Sequence, residues 1–130
     1  IVDTGMNDFI RPTLYDAVHN ITSVVKTTKR ECVDVVGPVC ESGDYLALER
    51  DMECVEQHEL IVIHTAGAYC AVTANSYNSR GVIAEVLVQS GQDYVIRAAQ
   101  SLDELIALDH VPAHIQHLPK KGGLNEIKLV

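Results

Sequence analysis

Three stretches of this 130-residue chain carry polar side chains at spacings that could do chemistry: Asn7 to Tyr15, Gly37 to Asp44, and Ala66 to Asn78. In the first, Arg11 and Tyr15 stand four positions apart. One turn of helix would set guanidinium and phenol on one side, where together they could grip a carboxylate. Taken without context, such a pair is more often a surface ion-pairing group and a packed ring. In the second, Gly37-Pro38-Val39-Cys40-Glu41-Ser42-Gly43-Asp44 sets a thiol beside a carboxylate, with glycines on either side that permit close backbone approach. A thiol can return a proton to a carbanion, and a carboxylate can hold a substrate ammonium. An isolated cysteine is more commonly a small buried hydrophobe, and Cys32, Cys54 and Cys70 are read that way. In the third, Ala66-Gly67-Ala68-Tyr69 leads small residues up to a ring with a polar tip, which suits a flat ligand or a phosphate. His110, His114 and His117 have the spacing of metal ligands on one helical face, but Pro112 would break that helix, so no metal site is expected. There is no G-x-S-x-G elbow for a serine nucleophile, and the Gly122-Gly123 pair is no phosphate loop.

The elements that must position these groups are short. Val33 to Val36 and Leu60 to His64 are rich in β-branched residues and predict strands. Ala84 to Gln89 and Tyr94 to Arg97 flank Ser90-Gly91-Gln92-Asp93 and predict a β-hairpin. A further strand is expected within Ala17 to Lys26. Ser101-Leu102-Asp103-Glu104 has the pattern of a capping box opening a helix over Leu102 to Asp109, which Pro112 ends. Arg11 to Tyr15 predicts one helical turn with proline at its start, and Tyr69 to Ser76 another short helix. Repeats are absent. Several short strands and few helices indicate a mainly β fold, a barrel or sandwich, over residues 1–110. The tail 111–130, with Pro119, Lys120, Lys121, Gly122 and Gly123, is expected to be loosely structured until the apolar Ile127 to Val130.

Composition bounds the function. At 47% hydrophobic and 22% charged the chain has the make-up of one globular domain. No run approaches the ~20 apolar residues that span a bilayer, so a membrane protein is excluded. The formal net charge of −8 would repel a phosphate backbone, and the basic clusters Lys26 to Arg30 and Lys120-Lys121 are too short to form a nucleic-acid surface. The four cysteines, 8, 14 and 16 positions apart, form no C-x-x-C pair, so reduced thiols in the cytoplasm are expected. Two disulfides in a secreted domain stay open on count alone. The start, Ile1-Val2-Asp3-Thr4-Gly5, has no signal-peptide pattern and reads as a strand already under way in a longer polypeptide.

Taken together, Asp3-Thr4-Gly5-Met6-Asn7-Asp8-Phe9-Ile10-Arg11-Pro12-Thr13-Leu14-Tyr15, the Gly37 to Asp44 block, Ala66-Gly67-Ala68-Tyr69, and Asn75 to Arg80 with Ala84-Glu85-Val86-Leu87 resemble the diaminopimelate decarboxylases in order and spacing. The resemblance covers Ile1 to about Arg97. Thr4 stands where alanine is expected and Cys70 where glycine is commoner. The resemblance implies a fold-type III enzyme using pyridoxal phosphate, with an N-terminal (β/α)8 barrel that carries the cofactor lysine. The C-terminal part would be a Greek-key β-barrel or sandwich like that of alanine racemase, and this chain is similar to that second part only. Its five lysines, Lys26, Lys29, Lys120, Lys121 and Lys128, stand in no context like the family's cofactor-bearing lysine, which implies that the chain alone is inactive.

Further roles follow from the resemblance. It implies a cytoplasmic homodimer, with each active site at the subunit interface. Arg11 and Tyr15 would bind a substrate carboxylate, Glu41 the amino group at the non-reacting end, and Tyr69 both substrate and cofactor. Cys40 would enter from the partner subunit as proton donor. The cofactor ring takes up the electrons released as carbon dioxide leaves, while the protein must orient the bond and return a proton to one face. Arg11 would favour a diamino diacid over a simple diamine by about 2–5 kcal/mol, since a diamine leaves the guanidinium unpaired. The implied substrate is diaminopimelate and the product lysine. Other readings are a decarboxylase for ornithine or arginine, whose members usually carry Asp rather than Glu after the cysteine, a non-catalytic dimerisation module, and a bifunctional parent protein.

Overall fold

The longest strand among the described residues, Tyr45–Glu53, has no strand signal in its sequence. The computed structural model describes residues 1–116. Within them the chain opens with a loop and helix α1 (Arg11–Tyr15), then strands β1 (Ile21–Ser23), β2 (Arg30–Val36), β3 (Tyr45–Glu53) and β4 (Ile61–Ile63). Helix α2 (Gly67–Thr73) and a 3-10 turn (Tyr77–Ser79) follow. Strands β5 (Glu85–Gln89) and β6 (Gln92–Arg97) and helices α3 (Leu102–Ile106) and α4 (Ala113–Gln116) complete the described chain. The strands pair in three antiparallel ladders, β1 with β4, β2 with β3, and β5 with β6. The fold is mainly sheet with a few short helices, as expected. No ladder shares a strand with another, so the described strands do not close into a barrel.

Strand β3 escapes a sequence reading because its phase changes midway. Leu46 and Ala47 are buried, Leu48 and Glu49 exposed, and Met52 buried again. Glu49 adopts a left-handed φ of 48° and its amide donates to Asp34 Oδ1 at 2.7 Å. The register, Val35 opposite Ala47 and Val33 opposite Arg50, places Leu48 and Glu49 across from the single residue Asp34, a β-bulge. Leu, Ala, Glu and Arg also lean toward helix, so neither periodicity nor propensity announces the strand. Leu46, Ala47 and Met52 nonetheless form the core with Phe9, Ile21 and Val35.

The local predictions fare better. The β5–β6 hairpin forms, with a tighter turn than expected: Gln89 pairs with Gln92 around Ser90 and Gly91, both at positive φ. The capping box is present, Glu104 N donating to Ser101 Oγ at 3.2 Å and Ser101 N to Glu104 Oε2 at 2.8 Å. Helix α3 stops at Ile106, short of Asp109, and β1 occupies only Ile21–Ser23 of the expected Ala17 to Lys26. Residues Ala113–Gln116 are helical where loose structure was expected. His117, the Lys120-Lys121 pair, Gly122-Gly123 and the Ile127 to Val130 segment lie outside the described residues. Among the described residues no helix is long and apolar enough to cross a membrane.

One buried carboxylate joins the N-terminal loop to the loop between β2 and β3. Asp44 is 4% exposed; its Oδ1 accepts from Met6 N at 2.6 Å and its Oδ2 from Val39 N at 2.5 Å, while its carbonyl accepts from Gly37 N at 2.9 Å. The packing leaves no room for a side chain at Gly37, where a Cβ would lie 2.5 Å from both carboxylate oxygens and 2.6 Å from Gly5 Cα. Gly67 has no atom within 4 Å of that position. Gly37→Ala is therefore expected to destabilise the protein by about 1–3 kcal/mol or more, whereas Gly67→Ala, at a helical position, changes stability by less than about 1 kcal/mol, in the stabilising direction. Urea unfolding midpoints compare the two, and equal midpoints would contradict this role of Asp44 as a latch between the two loops.

Candidate active-site face

The residues singled out by chemistry sit on three segments that the fold ties together. Helix α1 begins after Ile10, with Pro12 buried in its first turn, and ends where Asp16 turns left-handed. Its Arg11 guanidinium lies 4.4 Å from the centroid of the Tyr69 ring on α2, a cation–π contact. On the same helix the Thr13 hydroxyl donates to the carbonyl of Gly43, which binds α1 to the Cys40–Glu41 loop. That loop is itself a set of tight turns, Glu41 N donating to Val39 O at 2.8 Å and Asp44 N to Glu41 O at 3.0 Å.

The N-terminal loop supports α1 from beneath. Asp8, fully buried, accepts from Thr4 Oγ1 and Gly5 N at 3.1 Å each and from Asn7 Nδ2 at 2.9 Å. Asn7 O in turn accepts from Asn75 N at 2.9 Å, and Arg80 Nη2 donates to Asp3 O at 2.8 Å, so the 75–80 segment is fastened to the same loop.

These connections divide the expected site residues into two groups. Arg11 and Tyr69 are brought into contact, and Tyr15 lies one turn along α1 from Arg11, 65% exposed. Cys40 and Glu41 occupy an exposed loop tip, where Glu41 takes Tyr77 as its partner: Tyr77 Oη donates to Glu41 Oε2 at 3.0 Å. Gly43 N also reaches Glu41 Oε1, at 3.4 Å. The hydrogen bond and negative charge of Glu41 raise the Tyr77 phenol above its ordinary 10.0. None of the five expected residues is walled into hydrophobic packing.

Three contributors carry no role in the sequence reading: Tyr77, Thr13 and Asp44. Asp44 had a signal, an aspartate closing a block with glycines at both ends, whereas Tyr77 and Thr13 gain their roles only from partners 36 and 30 residues away. Cys70, read as a small hydrophobe, is half-buried, and burial together with the charge of Asp8 pushes its thiol up to about 11. Among the described residues no group of three or more His, Cys, Asp or Glu side chains could hold a metal ion. A groove of about 810 Å³, lined in part by Val33, Met52, Val55 and Ile61, contains none of the site residues.

Residues 1–67 match the model of the pyridoxal-dependent decarboxylase family, C-terminal sheet domain. The chain belongs to that family. More particularly, it is similar to the diaminopimelate decarboxylase of Haemophilus influenzae, 49% identical over 111 residues that cover 84% of this chain and 26% of that protein. It is also similar to the diaminopimelate decarboxylase of Zymomonas mobilis, 45% identical over 106 residues, 82% of this chain and 25% of that one. A crystal structure of diaminopimelate decarboxylase from M. jannaschii in co-complex with L-lysine superposes with a TM-score of 0.83 at 37% identity, covering 87% of this chain and 26% of that chain. The chain thus spans about a quarter of the length of the relatives it matches.

The raised Cys70 thiol makes a checkable difference between cysteines. At pH 8 a thiol near 11 holds on the order of a hundredfold less thiolate than one at the ordinary 9.0. Cys70 is expected to react with iodoacetamide more slowly than the exposed Cys32, as read by peptide mass spectrometry; equal rates would contradict the burial.

Proposed function

We propose that this chain is the C-terminal domain of a diaminopimelate decarboxylase, contributing to the release of carbon dioxide from meso-2,6-diaminopimelate to give L-lysine. The observation that carries the reading is the Arg11 guanidinium stacked on Tyr69 and fastened, through Thr13, to the loop presenting Cys40 and Glu41. It is supported by the similar diaminopimelate decarboxylases and by the L-lysine bound to one of them.

The face fits pyridoxal phosphate as a ligand that it helps to enclose. A guanidinium, the phenols of Tyr15 and Tyr69, and open space at Gly67 suit a planar anionic group, with Tyr69 as the residue that touches it. When bound, that cofactor supplies a sink for the electron pair left as the carboxylate departs. Lys26 and Lys29 lie between β1 and β2, and in this reading the lysine that holds the cofactor belongs to an N-terminal (β/α)8 barrel domain of the same protein.

Within this reading Arg11 and Tyr15 bind the substrate carboxylate, and Glu41 binds the ammonium of the non-reacting end. Cys40 enters the site of the partner subunit of a homodimer and donates the proton that completes the product. The division of the face into an Arg11–Tyr69 group and a Glu41–Tyr77 group accords with service to two different sites. The domain proper comprises residues 1–110, followed by the tail 111–130, and in the assembled cytoplasmic enzyme its ladders belong to a Greek-key barrel of the alanine racemase kind. The chain by itself is inactive. Glu at position 41, rather than Asp, favours diaminopimelate over ornithine or arginine.

In the whole enzyme Cys40→Ala is expected to lower kcat for carbon dioxide release by about 10²- to 10⁴-fold, the usual contribution of a positioned proton donor, with KM little changed. Arg11→Lys, which loses the planar fork, is expected to raise KM instead. Near-normal turnover by a well-folded Cys40→Ala dimer would remove the proton-donor role, and carbon dioxide release from ornithine in preference to diaminopimelate would overturn the substrate.

A further inference from the structure

Tyr77 sits on a turn whose backbone is held more firmly than its exposed position requires. Its amide donates to Asn75 Oδ1 at 3.0 Å, and Ser79 N closes onto Ser76 O at 2.9 Å. The next two residues, Asn78 and Ser79, both adopt a φ of 55°, the left-handed region that non-glycine residues avoid. Such strain persists only where surrounding contacts over-determine it, and here they do: Asn75 N is bound by Asn7 O and the Arg80 guanidinium by Asp3 O. The product of this construction is one phenol, placed 3.0 Å from Glu41 Oε2.

A carboxylate on an exposed loop tip has free rotation about its side-chain bonds, and a substrate ammonium must pay to still it. With Tyr77 donating to Oε2 and Gly43 N reaching Oε1, the Glu41 carboxylate is held at both oxygens before any ligand arrives. Each carboxylate oxygen retains a lone pair for an ammonium.

We propose that Tyr77 is a positioning residue that pre-orients Glu41 for the distal ammonium of the substrate, and so acts on specificity for a diamino diacid rather than on the chemical step. The proposal rests on the functional reading above. It separates two substrates that differ only at the far end: diaminopimelate carries the distal ammonium, and 2-aminopimelate has the same distal carboxylate without it.

The test measures carbon dioxide release by the whole enzyme with both compounds. Tyr77→Phe is expected to raise KM for diaminopimelate about tenfold with kcat within twofold, and to leave KM for 2-aminopimelate unchanged. In a Glu41→Gln background Tyr77→Phe should add nothing. A folding defect would instead change both substrates alike, and that outcome overturns the proposal, as does an unchanged KM for diaminopimelate in Tyr77→Phe when Glu41→Gln raises it; both leave the reading of the enzyme intact. If Glu41→Gln has no effect on either substrate, the role of Glu41 fails and Tyr77 with it. If the wild-type enzyme releases no carbon dioxide from diaminopimelate, the functional reading itself fails.

Discussion

The carboxylate of Asp44, buried between two loops and held by the amides of Met6 and Val39, is the interaction on which the arrangement of this domain depends. Burying an ionised group is costly unless strong donors replace water, and charge-assisted bonds to backbone amides are among the stronger ones. Gly5 and Gly37 make this approach feasible, since a Cβ on either would run into the Asp44 oxygens. One amide belongs to the loop that leads into α1 and the other to the residue before Cys40. The latch therefore sets the distance between the arginine on one segment and the thiol and carboxylate on the other, and the Thr13 to Gly43 hydrogen bond closes the same gap from above.

What the sequence discloses of this fold follows from how local each feature is. The capping box at Ser101, the β5–β6 hairpin and the Pro12-containing turn of α1 are decided by neighbours within a few positions, and each forms, the hairpin with a tighter turn than the expected Ser90 to Asp93. Strand β3 is hidden because the bulge at Glu49 flips its buried face, and because it is built from residues that favour helix. Strand pairing across the chain has no local signature, which is why a barrel is a natural expectation from several short strands while the described residues show three separate ladders.

The site divides along the same line. Arg11, Tyr15, Cys40, Glu41 and Tyr69 stand out by residue type and by the blocks that carry them. The pairing of Arg11 with Tyr69, and of Glu41 with Tyr77 rather than with Arg11, comes only from the fold. Each group presents charge and hydrogen-bonding capacity at the surface of the domain.

The central claim is that Arg11 and Cys40 of one chain serve two different active sites of a homodimer. Arg11→Ala and Cys40→Ala versions of the whole enzyme test it when dissociated, mixed and reassembled, and assayed at a substrate concentration at which each alone has little activity. A mixed dimer then holds one site built from the intact Arg11 of one subunit and the intact Cys40 of the other, so the account predicts recovery of about a quarter of wild-type carbon dioxide release from an equal mixture. No recovery from verified mixed dimers would place both residues in the same subunit's site and contradict the account.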